Sequence, residues 1–199
     1  MAEDLEQVHV TYAFPTVSNT DPDFYVSQVY SMTLGGGMSS RLFQEAREKR
    51  GLCYSIYAFG QSFSDGGTLG IYVGTGETEA AQISAVVAGE MAGVAATATE
   101  QEVSRAKAQM KSSLLMGLER PATRAEQIAG QWFTYGRFIP VEELTAKLDM
   151  VDAAAVRRFG ERIMRTARPS LAVVGPHNRL EAYDTFAGRF GAGVARAAE

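Results

Sequence analysis

The chain has 199 residues, 46% of them hydrophobic and 21% charged, and its 19 basic and 23 acidic residues leave a net charge of −4. That length and apolar fraction suit one domain with a sizeable core, and the acidic balance argues against a nucleic-acid partner, which calls for a basic patch. With only His9, His177 and Cys53 available, a disulfide framework and a self-contained His/Cys zinc site are both excluded.

Residues 7–14 (Gln-Val-His-Val-Thr-Tyr-Ala-Phe) alternate, carry β-branched and aromatic side chains and stop at Pro15, which predicts a strand. Thr20-Asp21-Pro22 is a helix start, and Phe24, Tyr25, Val29, Met32 and Leu34 carry that helix to Gly35-Gly36-Gly37. Ser39 or Ser40 then caps a short charged helix reaching about Arg50, and Gly51 ends it. Two strands, 52–63 and 68–75, flank the turn Ser64-Asp65-Gly66-Gly67 and predict an antiparallel hairpin. The next stretch reads as helices over roughly 77–95, 99–118, 121–137, 140–149 and 153–166. Thr99 to Glu102 is a capping box, Pro121 and Pro140 begin helices, and Asp152 is an N-cap. Residues 170–174 form a last strand before Gly175-Pro176.

This order does not alternate strand with helix. It predicts the α+β class, an antiparallel sheet with helices on one face. Residues 1–176 are expected to form a single domain, with 177–199 a helical or frayed tail. No apolar run approaches the roughly 20 residues of a bilayer span. The acidic start Met1-Ala-Glu-Asp, with no apolar core, is not expected to act as a signal peptide. With one unpaired cysteine, these features predict a cytoplasmic protein with no membrane partner.

Most chemical motifs fail. Gly35-Gly-Gly-Met-Ser-Ser-Arg41 lacks the Gly-Lys-Ser/Thr ending of a phosphate loop. Gly74-Thr-Gly76-Glu-Thr-Glu79 lacks the third glycine of a dinucleotide fingerprint and sets glutamates where a pyrophosphate would lie. Cys53 reads as a small packing residue and His9 as a sheet histidine.

Segment 34–59 stands apart. It joins a glycine run, a short charged helix and an aromatic strand. Arg47 falls in the last full turn of the helix and Tyr54 just beyond Gly51, so both side chains can emerge at one end of the sheet. A guanidinium and a phenol there can hold a peptide carbonyl and an oxyanion. The same residues also suit plainer roles, an arginine complementing a helix C-terminus and a tyrosine packed in the sheet.

Segment 34–59 resembles the second-half signature of the pitrilysin, or insulinase, family of zinc metallopeptidases, and weaker similarity runs over roughly residues 5–176. The resemblance implies a clamshell peptidase of two related halves. One half carries an inverted zinc motif, His-x-x-Glu-His, and the other supplies an Arg and a Tyr. Those positions fall here on Arg47 and Tyr54, with the implied roles of holding a substrate carbonyl and stabilising the tetrahedral intermediate. Gly35, Gly36, Gly37, Met38 and Ser39 resemble the family's glycine segment at the chamber wall, an expected substrate contact.

The zinc motif is missing from this sequence. The chain is therefore expected to hold no metal itself and to be inactive alone, with zinc in an N-terminal partner half or subunit and a peptide or small protein as substrate. A strand opening almost at the first residue favours a fragment of a longer polypeptide. The alternatives are a non-catalytic scaffold subunit of the same fold, or a peptide-binding module using a sheet edge.

Overall fold

The computed structural model describes residues 5–191. Four strands, β1 (Val8–Thr16), β2 (Cys53–Ser62), β3 (Gly67–Thr75) and β4 (Ser170–Val174), form one antiparallel sheet in the order β2-β3-β1-β4. The helices are α1 (Phe24–Gly35), a π-helix (Phe43–Lys49), α2 (Ala80–Thr97), α3 (Glu100–Leu118), α4 (Pro121–Tyr135), α5 (Val141–Asp149), α6 (Ala153–Thr166) and α7 (Tyr183–Ala187). This is the α+β class expected from the element order.

Alternation along β1 sends Val8, Val10, Tyr12 and Phe14 into the core, each with no exposed surface. They share one apolar cluster with Leu34 of α1, Val87 and Met91 of α2, and Phe159 of α6. The helices thus lie against one face of the sheet and leave the other open. Helix α2 is long and apolar enough, by length and composition alone, to cross a membrane. Here its Ile83, Val87, Met91 and Val94 are buried in the core, which accounts for that composition.

The helix signals correspond to contacts. The Thr99 Oγ1 accepts from the Glu102 backbone N–H, and the Glu102 carboxylate accepts from the Thr99 N–H at 2.8 Å. The Asp152 carboxylate caps α6 through the Ala155 N–H at 2.7 Å. Helix α1 begins at Phe24, later than the Asp21-Pro22 start suggests. Asp21 Oδ1 instead accepts the Asp23 N–H at 2.8 Å, closing an Asx turn before the helix.

Two features differ from the sequence-based picture. The core does not stop at residue 176: Phe186 of α7 and Phe190 are fully buried, with ring centroids 4.7 Å from Tyr12 for Phe186 and 5.0 Å from Phe14 for Phe190. The part of the expected tail over 192–199 lies outside the described residues. Helix α4, in turn, is inverted. Thr123, Gln127, Gln131 and Tyr135 are half-buried toward the body, where Gln131 Oε1 accepts from Ile139 N–H and the Tyr135 hydroxyl donates to the Asn19 carbonyl, each at 3.0 Å. Its apolar Trp132 and Phe133 face out, while Ile128 borders the cleft it shares with Leu114 and Leu118 of α3.

Candidate functional site

The site starts from the anchor of the charged helix. Arg41, just ahead of the π-helix, donates to both Glu102 carboxylate oxygens (2.7 and 2.9 Å) and to Thr97 Oγ1 and the Thr97 carbonyl, each at 3.0 Å. One carboxylate therefore holds Arg41 and caps α3 at once, which fixes the entry of the π-helix against the α2–α3 junction.

Hydrogen bonding from Arg41, joined by Thr99, holds the Glu102 carboxyl down at about 2 against the opposing effect of burial. The folded value lies below the unfolded one, so the pair's contribution is fully present above about pH 4.5 and lost as pH falls toward 2. Glu102→Gln is expected to cost about 2 kcal/mol at pH 7, the range of a charge-assisted hydrogen bond. In thermal melts the gap between wild type and variant should close on acidification. A gap of constant size from pH 7 to pH 2 would show that the ion pair is not its source.

In the π-helix, Glu45 is taken by Lys49 at 2.9 Å and Arg50 at 2.7 Å. Arg47, exposed between them, has no ion-pair or hydrogen-bond partner for its guanidinium among the described residues, and lies over the Phe43 ring, 4.9 Å from its centroid. Its donors are free to meet a ligand. A π-turn where the spacing predicts an ordinary helix is a local feature that often accompanies function.

The chain then reverses at Gly51, whose φ of +63° a side chain rarely adopts. The Gly51 N–H donates to the Arg47 carbonyl at 3.1 Å and the Leu52 N–H to the Ala46 carbonyl at 2.8 Å, so the start of β2 is tied back to the helix carrying Arg47. The Arg47 charge reaches as far as the Cys53 thiol, where it opposes the upward pressure of burial.

Tyr54 is the extra residue of a β-bulge. Cys53 pairs with Thr75 and Ser55 with Gly74, leaving Tyr54 without a partner. In an unbroken pleat, Cys53 and Ile56 could not both point inward, because three positions separate them. The bulge lets both be buried while Tyr54 and Ser55 turn out, and Tyr54 is 66% exposed. Arg47 and Tyr54 thus stand exposed at the same end of β2.

The glycine segment divides in two. Gly35 lies so close to β2 that a Cβ on it would meet Ala58 N at 2.5 Å, and one on Gly36 would overlap Met32. The Gly36 carbonyl accepts from Gln109 Nε2 at 3.1 Å, and the Gly37 carbonyl accepts from the Ser40 hydroxyl. These glycines permit close packing; the side chains offered to solvent are those of Met38 and Ser39. The Met38 carbonyl accepts from Gln44 Nε2 at 2.7 Å, which joins this segment to the helix of Arg47.

The remaining candidates fall into structural roles. Cys53 is buried on the core side, whereas His9 sits on the open face with its Nδ1 2.7 Å from the Tyr72 hydroxyl, so no Cys–His pair forms. His177 turns back on the Gly175 carbonyl at 2.8 Å. Among the described residues, no group of three His, Cys, Asp or Glu side chains could hold a metal ion. Sequence reasoning missed Phe43 beneath Arg47, the Arg41–Glu102 anchor and the outward row Tyr57, Phe59 and Tyr72. For that row a signal existed in the spacing of aromatics along 54–59.

The family model of the peptidase M16 inactive domain matches residues 1–110. An uncharacterized zinc protease of Streptomyces coelicolor is 36% identical over 172 residues, covering 86% of this chain and 37% of that protein. An uncharacterized zinc protease of Rickettsia bellii is 32% identical over 177 residues, 88% of this chain and 43% of its own length. The uncharacterized zinc protease YmxG of Bacillus subtilis is 30% identical over 179 residues, 89% of this chain and 44% of its own length. The chain therefore spans less than half the length of these curated relatives. Among solved structures, a chain of complex III2 from Candida albicans with Inz-5 bound superposes with a TM-score of 0.85 at 21% identity, covering 95% of this chain and 48% of its own. That likeness is one of fold. The resemblance carried by segment 34–59, the matched family model and the curated relatives agree: this chain belongs to the peptidase M16 family, in which it is the inactive domain.

Proposed function

We propose that this chain is the substrate-engaging half of a zinc-dependent metalloendopeptidase, completing a site whose metal is held by an N-terminal half or a separate subunit. The observation that carries the reading is the pairing, at one end of β2, of an arginine without an ion-pair partner among the described residues and a tyrosine turned out by a bulge. The Arg47 guanidinium donates to a backbone carbonyl of the peptide and orients it. The Tyr54 hydroxyl donates to the oxygen that becomes negative as the scissile carbonyl turns tetrahedral, stabilising charge that exists only near the transition state. Met38 and Ser39 give the adjoining wall. In this reading the metal's chemistry is the partner's, in keeping with the lack, among the described residues, of three His, Cys, Asp or Glu side chains that could hold an ion.

Metal analysis of the purified chain is accordingly expected to find no stoichiometric zinc; one tightly bound equivalent would contradict this division of roles. The direct test joins the chain to a zinc-bearing half and follows peptide hydrolysis. Arg47→Ala should lower turnover at least tenfold, and an assembly indifferent to it would refute the reading. An assembly in which neither half holds zinc or cleaves peptides would favour a scaffold role instead.

A further inference from the structure

The open face of the sheet has an unusual composition. Among the described residues, none of the four strands contains an Asp, Glu, Lys or Arg. A sheet face turned to water ordinarily carries polar and charged residues. Here the outward positions of β2 are Ser55, Tyr57, 47% exposed, Phe59, 38% exposed, and Gln61, following the bulged Tyr54.

The residues opposite explain why these rings form a surface. Tyr57 pairs with Tyr72 and Phe59 with Gly70. The Tyr57 ring centroid lies 5.1 Å from that of Tyr72 and 6.0 Å from that of Phe59. A Cβ on Gly70 would overlap the Phe59 ring, so the missing side chain is what lets that ring lie over β3. The Tyr72 hydroxyl, bonded to His9, leaves a polar tip at the inner border. The result is a low aromatic shelf without formal charge, separated from Tyr54 along the strand only by the small Ser55.

Alternate side chains of a strand repeat every 6.6 Å or so, and an extended peptide has the same repeat. A peptide lying along β2 from Tyr54 would therefore set alternate side chains on Tyr57 and Phe59 in step. From this match of period, the absence of charge and the nearness to Tyr54, we infer that the shelf of Tyr57, Phe59 and Tyr72 selects extended peptide substrates bearing apolar side chains on the strand-like segment flanking the scissile bond. This rests on the substrate-engaging reading given above and specifies its substrate class.

The test uses two fluorescein-labelled 12-residue peptides, one alternating Leu and Phe with Ser and the other alternating Asp with Ser. Their affinities are read by anisotropy with this chain, alone and joined to a zinc-bearing half. The apolar peptide should bind at least tenfold more tightly, and Tyr57→Thr should remove at least fivefold of that advantage. Phe59→Thr should act in the same direction; if it fails to fold, the exposed Tyr57 position decides. Equal affinity for the two peptides, or a preference that survives Tyr57→Thr, overturns the inference. So does a Tyr57→Thr effect on sedimentation that leaves peptide binding unchanged, because the shelf would then be covered by the other half or by a second copy. Turnover in Arg47→Ala and Tyr54→Phe is measured separately: loss there with no change in peptide preference on Tyr57→Thr sinks the shelf alone, whereas intact turnover sinks the substrate-engaging reading.

Discussion

Tyr54→Phe is expected to lower the kcat of the proposed two-half peptidase by about a hundredfold, the scale on which a single oxyanion donor acts. The substitution removes one hydroxyl and keeps the ring. Tyr54 is 66% exposed, and its hydroxyl makes no hydrogen bond among the described residues, so stability should change by less than about 0.5 kcal/mol. Because the donated bond strengthens as charge develops, the loss should appear in kcat with KM nearly constant. Steady-state kinetics on a single peptide separates these. A kcat within threefold of wild type would remove Tyr54 from the site, and a rise in KM alone would make it a binding residue.

Phe186→Ala carries the largest expected effect on stability, a loss of about 3–5 kcal/mol. Phe186 is fully buried, with its ring centroid 4.7 Å from Tyr12, 6.3 Å from Phe14 and 5.2 Å from Phe190. Truncation leaves a cavity walled by aromatic rings, which relax into it poorly. A loss of that size is a large part of the 5–15 kcal/mol of an ordinary domain. Urea denaturation followed by circular dichroism measures it. A midpoint shift worth less than about 1 kcal/mol would mean that the C-terminal segment rests on the core without holding it together.

The elements legible in the sequence were those whose signals are local. The alternation of β1, the Asp65-Gly66 turn of the hairpin, the Thr99 capping box and the Asp152 cap each depend on a few neighbouring residues, and all are found where expected. The missed features depend on distant contacts. The bulge at Tyr54 follows from the need to bury both Cys53 and Ile56 against a core that local spacing does not reveal. Phe186 and Phe190 sit in a glycine-rich stretch that reads as frayed, and only the space beside Tyr12 and Phe14 gives them a place. Gly35 and Gly36 read as a loop contact, yet their closeness to Ala58 and Met32 gives them a packing role. For the site, the positions of Arg47 and Tyr54 came from the family resemblance; the structure adds their exposure, the π-turn and the bulge.

Helix α4 has a consequence for spectroscopy. Trp132 is the sole tryptophan in the chain, and it projects from the outward side of that inverted helix, 62% exposed. The indole emission of this protein is therefore set by water at a distance from the core. It is a poor gauge of unfolding, since the ring is already largely wet in the native state. It is a sensitive gauge of anything that comes to rest on α4, where a blue shift on adding a second component would register contact without a label.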